Sequence, residues 1–418
     1  MTKRCFERNR FAPWVLVAEG FHQRGGMEKA NAALAMYLSS CGVPVHLVAY
    51  LVDPELSMQP GVQVTRAAKP YGSALLGRSH LSRLGRAVAR RLTHQNPATR
   101  VVVNGICCDW PDINWVHWVH QCWRSGDAQA PLWFKAKHRA DAWLAMRAER
   151  NMLRRTRLLI ANSERTRNDL IALNGIDPER VHTIYLGTDS TWKGLTPERR
   201  AAARAWLEIP EQRPLVAFVG AFGHDSRKGF ETLWQAWKSL CVLAHWKADL
   251  IVAGGGRAAR RWQSEVSRAG LGGRVRFLGF TERVPELLAA ADLLVSPARY
   301  ESYGLNVQEA LCFGIPAIVS SSAGVAERYP AETSEMLLPD AVDSDDLAAR
   351  MLKWSSDMAG WKQRVEPLTS RLRAYTWEEM ARRMVDLAER VKMVSTARDT
   401  IAASGTTAQL SRHPLAGR

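Results

Sequence analysis

Short apolar runs alternate with amphipathic segments along most of the chain. The runs are apolar on both faces, which is typical of strands buried in a parallel sheet between layers of helices. In the first half they lie at 14–18, 45–50, 101–103, 114–119, 157–161 and 181–185, and in the second half at 215–219, 249–253, 275–278, 292–296 and 316–320. This alternation predicts an α/β protein with two doubly wound, Rossmann-like domains.

The division between the two domains is predicted from length and from a change in composition. At 418 residues the chain is too long for one ordinary domain. Residues 196–213 are polar, charged and interrupted by proline, so we interpret them as a linker between a first domain at 1–195 and a second at 214–375. Ligands of such sheets bind beyond the carboxyl ends of the strands, so we expect the active site in the cleft between the domains.

The C-terminal region begins with a helix signal. Thr376 and Glu379 form a T-x-x-E capping box, and apolar residues follow at helical spacing. The sequence therefore predicts a helix over 376–395 that needs another surface to cover. Residues 396–418 are polar and predict a disordered tail.

Composition indicates an intracellular protein. The seven cysteines include no CxxC pair, which favours reduced thiols. The basic N-terminus lacks the apolar core of a secretory signal, and no apolar run reaches the 18 residues that a membrane span requires. We expect a cytoplasmic protein.

Positive charge is concentrated in the first half of the chain. Residues 1–200 contain 29 Lys and Arg against 16 Asp and Glu, so this half carries +13 of the total net charge of +16. Within 81–92, Arg83, Arg86 and Arg90 lie on one face of a predicted helix whose other face is apolar. This face is either an ordinary solvated surface or a contact for an anionic acceptor or an anionic lipid surface. Nucleic acid is disfavoured because neither half contains a helix-turn-helix, zinc-finger or RNP pattern.

Two glutamates flank a predicted strand-to-helix junction. The helix after the strand at 292–296 is predicted to begin near Gly304, where free amide groups and the helix dipole suit a phosphate or diphosphate. Glu309 lies in an apolar stretch and needs a partner such as a ribose diol, whereas Glu301 could meet hydroxyls at the other end of a nucleotide-linked sugar. The alternative is that Glu301 faces solvent and Glu309 pairs with a nearby Lys or Arg. The amides expected to bind the anion belong to Tyr303, Gly304, Leu305 and Asn306.

This Glu-x7-Glu arrangement, with YGL between the glutamates and GIPAIVS after them, resembles the signature of glycosyltransferase family 4. The resemblance extends from about Trp14 to Val394 and implies the two-domain GT-B fold. It further implies that Glu301 contacts the donor sugar and Glu309 the ribose of a nucleoside-diphosphate sugar. Retention of anomeric configuration without an essential metal or other cofactor is also implied, as is packing of the C-terminal helix on the first domain.

Two basic or glycine-rich segments fit the same resemblance. Gly25 and Gly26 resemble the family's GG-x-E-K loop, whose amides face the donor diphosphate, although a GG before a helix is more often a tight turn. Arg227 and Lys228 precede a predicted helix start, where two cations would neutralise a leaving diphosphate. Family members commonly carry an arginine soon after the glycine that ends the preceding strand. That arginine is absent after Gly220, so Arg227 is its candidate substitute, the alternative being an ordinary surface pair.

The segment NWVHWVHQCW supplies a candidate catalytic histidine. His120 falls where the strand predicted at 114–119 should end, and the family often has a histidine there near the reacting bond. A one-residue change of register would favour His117 instead.

Together with these observations, the resemblance implies a retaining hexosyltransferase that moves a sugar to a hydroxyl of a glycan or lipid-linked acceptor, as in cell-envelope polysaccharide synthesis. Glu301, His120 and Lys228 are the predicted catalytic residues. A metal site is not predicted, because Asp343 and Asp345 of a D-x-D sequence are better interpreted as a helix cap. Two alternatives remain, namely a nucleotide-sugar epimerase and a sugar-nucleotide-binding protein that has lost catalysis.

Overall fold

Two parallel sheets, each covered by helices, make up the protein. The computed structural model describes residues 12–70, 74–123, 132–189, 194–223 and 226–405. Every strand pairing within the two large sheets is parallel. The expected α/β architecture with two doubly wound domains is therefore confirmed.

The first domain contains a seven-stranded sheet in the order β5-β3-β1-β6-β7-β8-β9. A short two-stranded pair, β2 and β4, lies beside it. Its strands are β1 Trp14–Val17, β2 Gly20–Phe21, β3 Val45–Ala49, β4 Leu51–Val52, β5 Val62–Arg66, β6 Arg100–Asn104, β7 Ile113–Val116, β8 Leu158–Ala161 and β9 Val181–Thr183. Its helices are α1 Gly26–Ser40, α2 Pro54–Ser57, α3 Ala74–Gln95, α4 Leu132–Arg155 and α5 Glu164–Asn174.

The second domain contains a six-stranded sheet in the order β12-β11-β10-β13-β14-β15, which is the 3-2-1-4-5-6 order of dinucleotide-binding folds. Its strands are β10 Leu215–Val219, β11 Asp249–Ala253, β12 Val275–Gly279, β13 Leu293–Ser296, β14 Ala317–Ser320 and β15 Leu337–Leu338. The remaining helices are α6 Pro197–Trp206, α7 Phe230–Cys241, α8 Ala259–Arg268, α9 Val284–Ala290, α10 Leu305–Cys312, α11 Ser344–Ser356, α12 Met358–Arg373 and α13 Trp377–Gly405.

All eleven strands predicted from apolar runs are present, with small differences at their ends. The apolar pattern did not predict β5, because this strand lies at a sheet edge, is partly exposed and has polar residues in VQVTR. It also missed the two-residue strands β2, β4 and β15. The strand predicted at 114–119 ends already at Val116.

The segment interpreted as a linker packs on the second domain. Helix α6 lies within it, and Ala203 and Leu207 are buried in the core of that domain. Arg204, which is 2% exposed, donates a hydrogen bond of 2.6 Å to Asp292 at the start of β13. Polarity alone could not distinguish this helix from a free linker, because its arginine is buried through this ion pair.

Helix α13 returns to the first domain. Thr376 Oγ1 accepts a hydrogen bond from the Glu379 amide at 3.3 Å, as a capping residue should. Met380 and Met384 are fully buried in a core that includes Leu34 and Leu38 of α1.

Helix α13 continues to Gly405, past residue 396, where the sequence predicts the start of a disordered tail. Residues 396–404 contain neither glycine nor proline, so no residue breaks the helix there. The rest of the predicted tail, 406–418, lies outside the described residues. In the described part of the chain, none of the helices combines the length and the apolar character needed to cross a membrane.

Candidate functional site

A cavity of about 780 Å³ lies between the two domains. Its walls come from loops that follow β2, β4, β7, β8 and β9 in the first domain and β10, β12 and β13 in the second. These are the carboxyl ends of the strands, where doubly wound sheets bind ligands. Of the predicted site residues, the cavity is lined by Gly25, Gly26, Arg227, Lys228, Glu301, Tyr303, Gly304, Leu305, Asn306 and Glu309.

The start of α10 offers backbone amides to this cavity. Gly304 caps the helix with a φ of 109°, and a Cβ there would lie 3.0 Å from Val325 Cγ1. The amides of Leu305 and Asn306 belong to the first helical turn, so they have no intrahelical acceptor. The Asn306 side chain is tied to the end of β10 through a 3.0 Å hydrogen bond to the Val219 carbonyl. The ring of Tyr303 is buried in the first domain's core, and its carbonyl accepts a hydrogen bond of 2.7 Å from the Val325 amide.

Glu301 lies beside two cations. Its carboxylate accepts a hydrogen bond from Lys228, and both side chains are largely buried. Burial alone would raise the pKa of Glu301, but Lys228 and Arg227 outweigh that effect and hold the pKa below its usual value. Glu301 is therefore ionised at neutral pH and can accept hydrogen bonds from sugar hydroxyls.

Glu309 forms an ion pair across the cleft. Lys29 Nζ of α1 lies 2.7 Å from Glu309 Oε1, and the Glu309 side chain is only 9% exposed. Burial raises the pKa of Glu309, and Lys29 partly opposes this rise. Glu309 therefore pairs with a lysine, as in the alternative interpretation of the sequence. The lysine belongs to the other domain.

The loop between β10 and α7 carries Arg227 and Lys228 into the cavity. It closes at Gly229, whose φ of 70° is left-handed. The Arg227 guanidinium lies 4.9 Å from the centre of the Trp118 ring. Arg227 and Lys228 line the same cavity as the start of α10. They could therefore neutralise a diphosphate bound there.

The glycine loop of the first domain approaches the second domain closely. A Cβ on Gly26 would lie 3.2 Å from Leu305 Cδ2, at the start of α10. Gly25 has a φ of 96°, and an added Cβ would lie 2.4 Å from Glu28 Oε2. Glycine at position 26 lets the loop contact α10 across the cleft, and glycine at position 25 permits the left-handed turn beside Glu28.

The structure favours His117 over His120 as the histidine of the cavity. Because β7 ends at Val116, the chain turns at His117, which lines the cavity. His117 is 9% exposed, its Nε2 has no hydrogen-bond partner among the described residues, and burial lowers its pKa to about 3. His120 does not line the cavity; its Nδ1 lies 2.8 Å from the buried carboxylate of Glu149.

Some residues of the site were not identified from sequence. Trp118 lines the cavity, and its ring meets the ring of Tyr300 edge to face at 4.7 Å between centroids. Tyr300 in turn accepts a hydrogen bond from the Val119 amide at 3.2 Å. Aromatic residues at the ends of two predicted strands were the available signal for this contact. Lys29 was visible within GG-x-E-K, but nothing local indicated its partner.

The D-x-D sequence caps a helix, as predicted. Asp343 Oδ1 accepts hydrogen bonds from the amides of Asp345 and Asp346 at 3.0 and 2.8 Å at the start of α11. Among the described residues, no three or more His, Cys, Asp or Glu side chains are grouped as they would be around a metal ion.

Comparison with protein families gives a match for each half of the chain. Residues 24–192 match the model described as Glycosyltransferase Family 4. Residues 199–367 match the model described as Glycosyl transferases group 1. Together the two matches cover the whole second sheet and all strands of the first large sheet except β1, which lies before residue 24.

Individual relatives and solved structures are more distant. The α-D-kanosaminyltransferase of Streptomyces kanamyceticus is 27% identical over 199 residues, which is 47% of this chain and 50% of that protein. The chain thus spans about half the length of the curated relatives it matches. Sucrose-phosphate synthase from Thermosynechococcus elongatus superposes with a TM-score of 0.72 at 21% identity, over 92% of this chain and all of the other. HepE of Anabaena, solved with UDP and glucose, has a TM-score of 0.64 at 18% identity, over 90% of this chain and 99% of the other. At such identities the superpositions show a common fold, the GT-B fold.

Proposed function

This chain belongs to the family 4 type of glycosyltransferase, and from that premise we propose that it is a retaining hexosyltransferase. Its donor would be a nucleoside-diphosphate sugar, and its acceptor a hydroxyl of a glycan or a lipid-linked sugar. The observation that carries the proposal is the meeting of Glu301, Lys228, Glu309 and the first turn of α10 in one cavity. Each of these groups suits a different part of such a donor.

We propose that the parts of the donor, namely ribose, diphosphate and sugar, bind to successive groups around the start of α10. The amides of the first turn, with Arg227 and Lys228, would bind the diphosphate. Glu309 would accept the ribose hydroxyls, and Glu301 the hydroxyls of the transferred sugar. The structural likeness to HepE, whose crystals held UDP and glucose, supports a nucleotide-sugar donor.

Transfer would proceed with the leaving group as the base. The acceptor hydroxyl attacks the anomeric carbon on the face that the diphosphate leaves, and the departing phosphate oxygen takes the hydroxyl proton. Lys228 and the helix amides stabilise the charge that develops on the phosphate. Since these groups supply positive charge at that position, we propose transfer without an essential metal. His117, uncharged at neutral pH, would lie near the transferred sugar.

The basic surface of the first domain supports an acceptor at a membrane. Arg83 and Arg90 are exposed on α3, and neither these two nor Arg86 forms an ion pair with an acidic side chain of the described residues. Unpaired arginines on one face would attract anionic lipid headgroups. We propose that the protein is cytoplasmic, binds peripherally to the inner face of the membrane and acts in synthesis of a cell-envelope polysaccharide.

A second candidate is a sugar-nucleotide-binding protein without catalysis. It is favoured by the missing arginine after Gly220, where the buried Phe222 follows Ala221. Incubation with radiolabelled sugar nucleotides and extracts of lipids and glycans separates the possibilities. Transfer of label to an acceptor is the expected result. Isomerised nucleotide sugar would instead indicate an epimerase, and binding without either product would indicate the inactive protein.

A further inference from the structure

Lys29 and Glu309 form a largely buried ion pair between the two domains. The two side chains are 23% and 9% exposed, and Nζ and Oε1 are 2.7 Å apart. Another pair across the same cleft, Arg24 and Glu282, is also 2.7 Å long, but its side chains are 63% and 61% exposed. Exposed pairs contribute little, whereas removal of one partner from a buried pair leaves an uncompensated charge.

We propose that Lys29 is a positioning residue for the donor: it keeps Glu309 charged and oriented toward the ribose, so tight donor binding requires contact between the two domains. The inference rests on the proposed function, because it assigns the ribose to Glu309. Lys29 itself would not touch the transferred sugar.

Lys29 is the counterion of Glu309, because the other titratable groups nearby are uncharged or paired elsewhere. On its own helix, the nearest titratable group is the Cys312 thiol, whose pKa burial raises to about 12, so it is uncharged. In the same cavity, Lys228 is paired with Glu301. Burial favours the protonated form of Glu309, and Lys29 is the group that opposes this. A protonated carboxyl would lose acceptor sites that two ribose hydroxyls need.

Lys29 and a ribose can bind Glu309 together. A carboxylate has about four lone-pair sites on two oxygens, and Lys29 uses Oε1. The lysine is held in place because α1 begins at Gly26, which lies against Leu305 of α10. If the domains separated, Glu309 would lose its counterion Lys29, and the start of α10 would lose its contact with the glycine loop.

The test is titration of UDP, GDP and ADP into the purified full chain, with wild type compared with Lys29→Met. For the nucleotide that wild type binds, we expect roughly ten- to a hundredfold weaker binding, the range for a lost hydrogen bond to a charged group. The loss should grow as pH falls from 8 to 6, because the pKa of Glu309 rises further without Lys29, and wild type should vary less. Lys29→Arg should restore most of the affinity and the flatter pH dependence.

The control is Lys69→Met, which breaks a half-exposed pair with Glu19 inside the first domain and outside the cavity. It should bind the nucleotide as wild type does. In a Glu309→Gln background, Lys29→Met should have little further effect. Thermal melting identifies variants that do not fold, and Lys29→Gln serves as a second neutral variant.

The outcomes separate this inference from the proposed function. If no nucleoside diphosphate binds to wild type, the proposed function fails, and this inference with it. If wild type binds and Lys29→Met binds equally well with the same pH dependence, only the role of Lys29 is wrong. Tighter binding by Lys29→Met would also overturn it, because Lys29 would then compete with the ribose.

Discussion

Lys228 donates a hydrogen bond to Glu301, which joins the loop after β10 to the loop after β13. These strands are neighbours at the point where the order of the second sheet reverses, so the loops that follow them leave toward opposite faces. The ion pair spans the crevice that results. In the proposed function, Lys228 would meet the diphosphate and Glu301 the transferred sugar, on either side of the bond that would break.

Replacement of Glu301 by alanine should reduce sugar transfer without weakening nucleotide binding. Its proposed contacts are with the sugar, so we expect a roughly ten- to a hundredfold lower rate and an unchanged Kd for the nucleoside diphosphate. Transfer assays and calorimetric titration measure the two effects. Glu231→Ala, which breaks a partly exposed pair with Arg299, is the matched control and should retain both properties.

Replacement of Glu309 by alanine should weaken binding of the nucleotide itself. The loss of hydrogen bonds to a charged group predicts a cost of about 1 to 3 kcal/mol. Titration with the nucleoside diphosphate measures it, and Glu366→Ala on the exposed side of α12 is the control. An unchanged affinity would remove Glu309 from the ribose site.

The parts of the site that are contiguous in sequence were predictable. Glu301, Gly304 and Glu309 lie within nine residues of one another, so the spacing along a strand, turn and helix fixed their relation. The partnership of Lys29 with Glu309 was not predictable, because the two residues are 280 positions apart in sequence and meet only when the two domains close on each other. No local pattern contains that information.

The order of His117 and His120 along the strand end was not predictable for a different reason. Residues 115–119 are apolar or aromatic on both faces, so the sequence did not indicate where the strand ends. The backbone leaves β7 three residues earlier than predicted, and this moves the strand-end position from His120 to His117. Similarly, the sequence did not distinguish the buried Arg204 of α6 from an exposed linker residue, because its burial depends on the ion pair with Asp292.

Gly229 should be intolerant of any side chain. A Cβ there would lie 1.8 Å from the Pro297 carbonyl oxygen, and the residue has a left-handed φ of 70°. We expect Gly229→Ala to lower the free energy of unfolding by at least about 2 kcal/mol. Urea denaturation measures this, with Gly272→Ala as control, since no atom lies within 4 Å of a Cβ there. Equal stability of the two variants would contradict the close approach.

His117 should make the protein less stable in acid. Burial lowers its pKa from 6.5 to about 3, so the unfolded chain binds a proton that the folded chain excludes. The free energy of unfolding should therefore fall as pH decreases below about 6.5, by up to about 1.4 kcal/mol per pH unit from this residue. Denaturation at several pH values should show a shallower decline for His117→Phe than for wild type. The same slope in both proteins would show that His117 is accessible to protons.

The basic face of α3 should bind anionic membranes in a salt-dependent way. Each arginine near an anionic surface contributes about 1 kcal/mol, and the attraction is screened as salt rises. Replacement of Arg83, Arg86 and Arg90 by serine should therefore reduce co-sedimentation with phosphatidylglycerol vesicles at low salt. Nucleotide affinity should not change, because these arginines do not line the cavity.

The matched control for this experiment removes the same charge from the other domain. Arg257, Arg260 and Arg268 are exposed around α8, and their replacement by serine should leave vesicle binding near the wild-type value. Equal losses in both triple variants would indicate attraction by net charge rather than by α3. If wild type does not sediment with the vesicles even at low salt, membrane association is wrong. A soluble glycan would then be the better acceptor, because the cavity and its donor groups do not depend on a lipid surface.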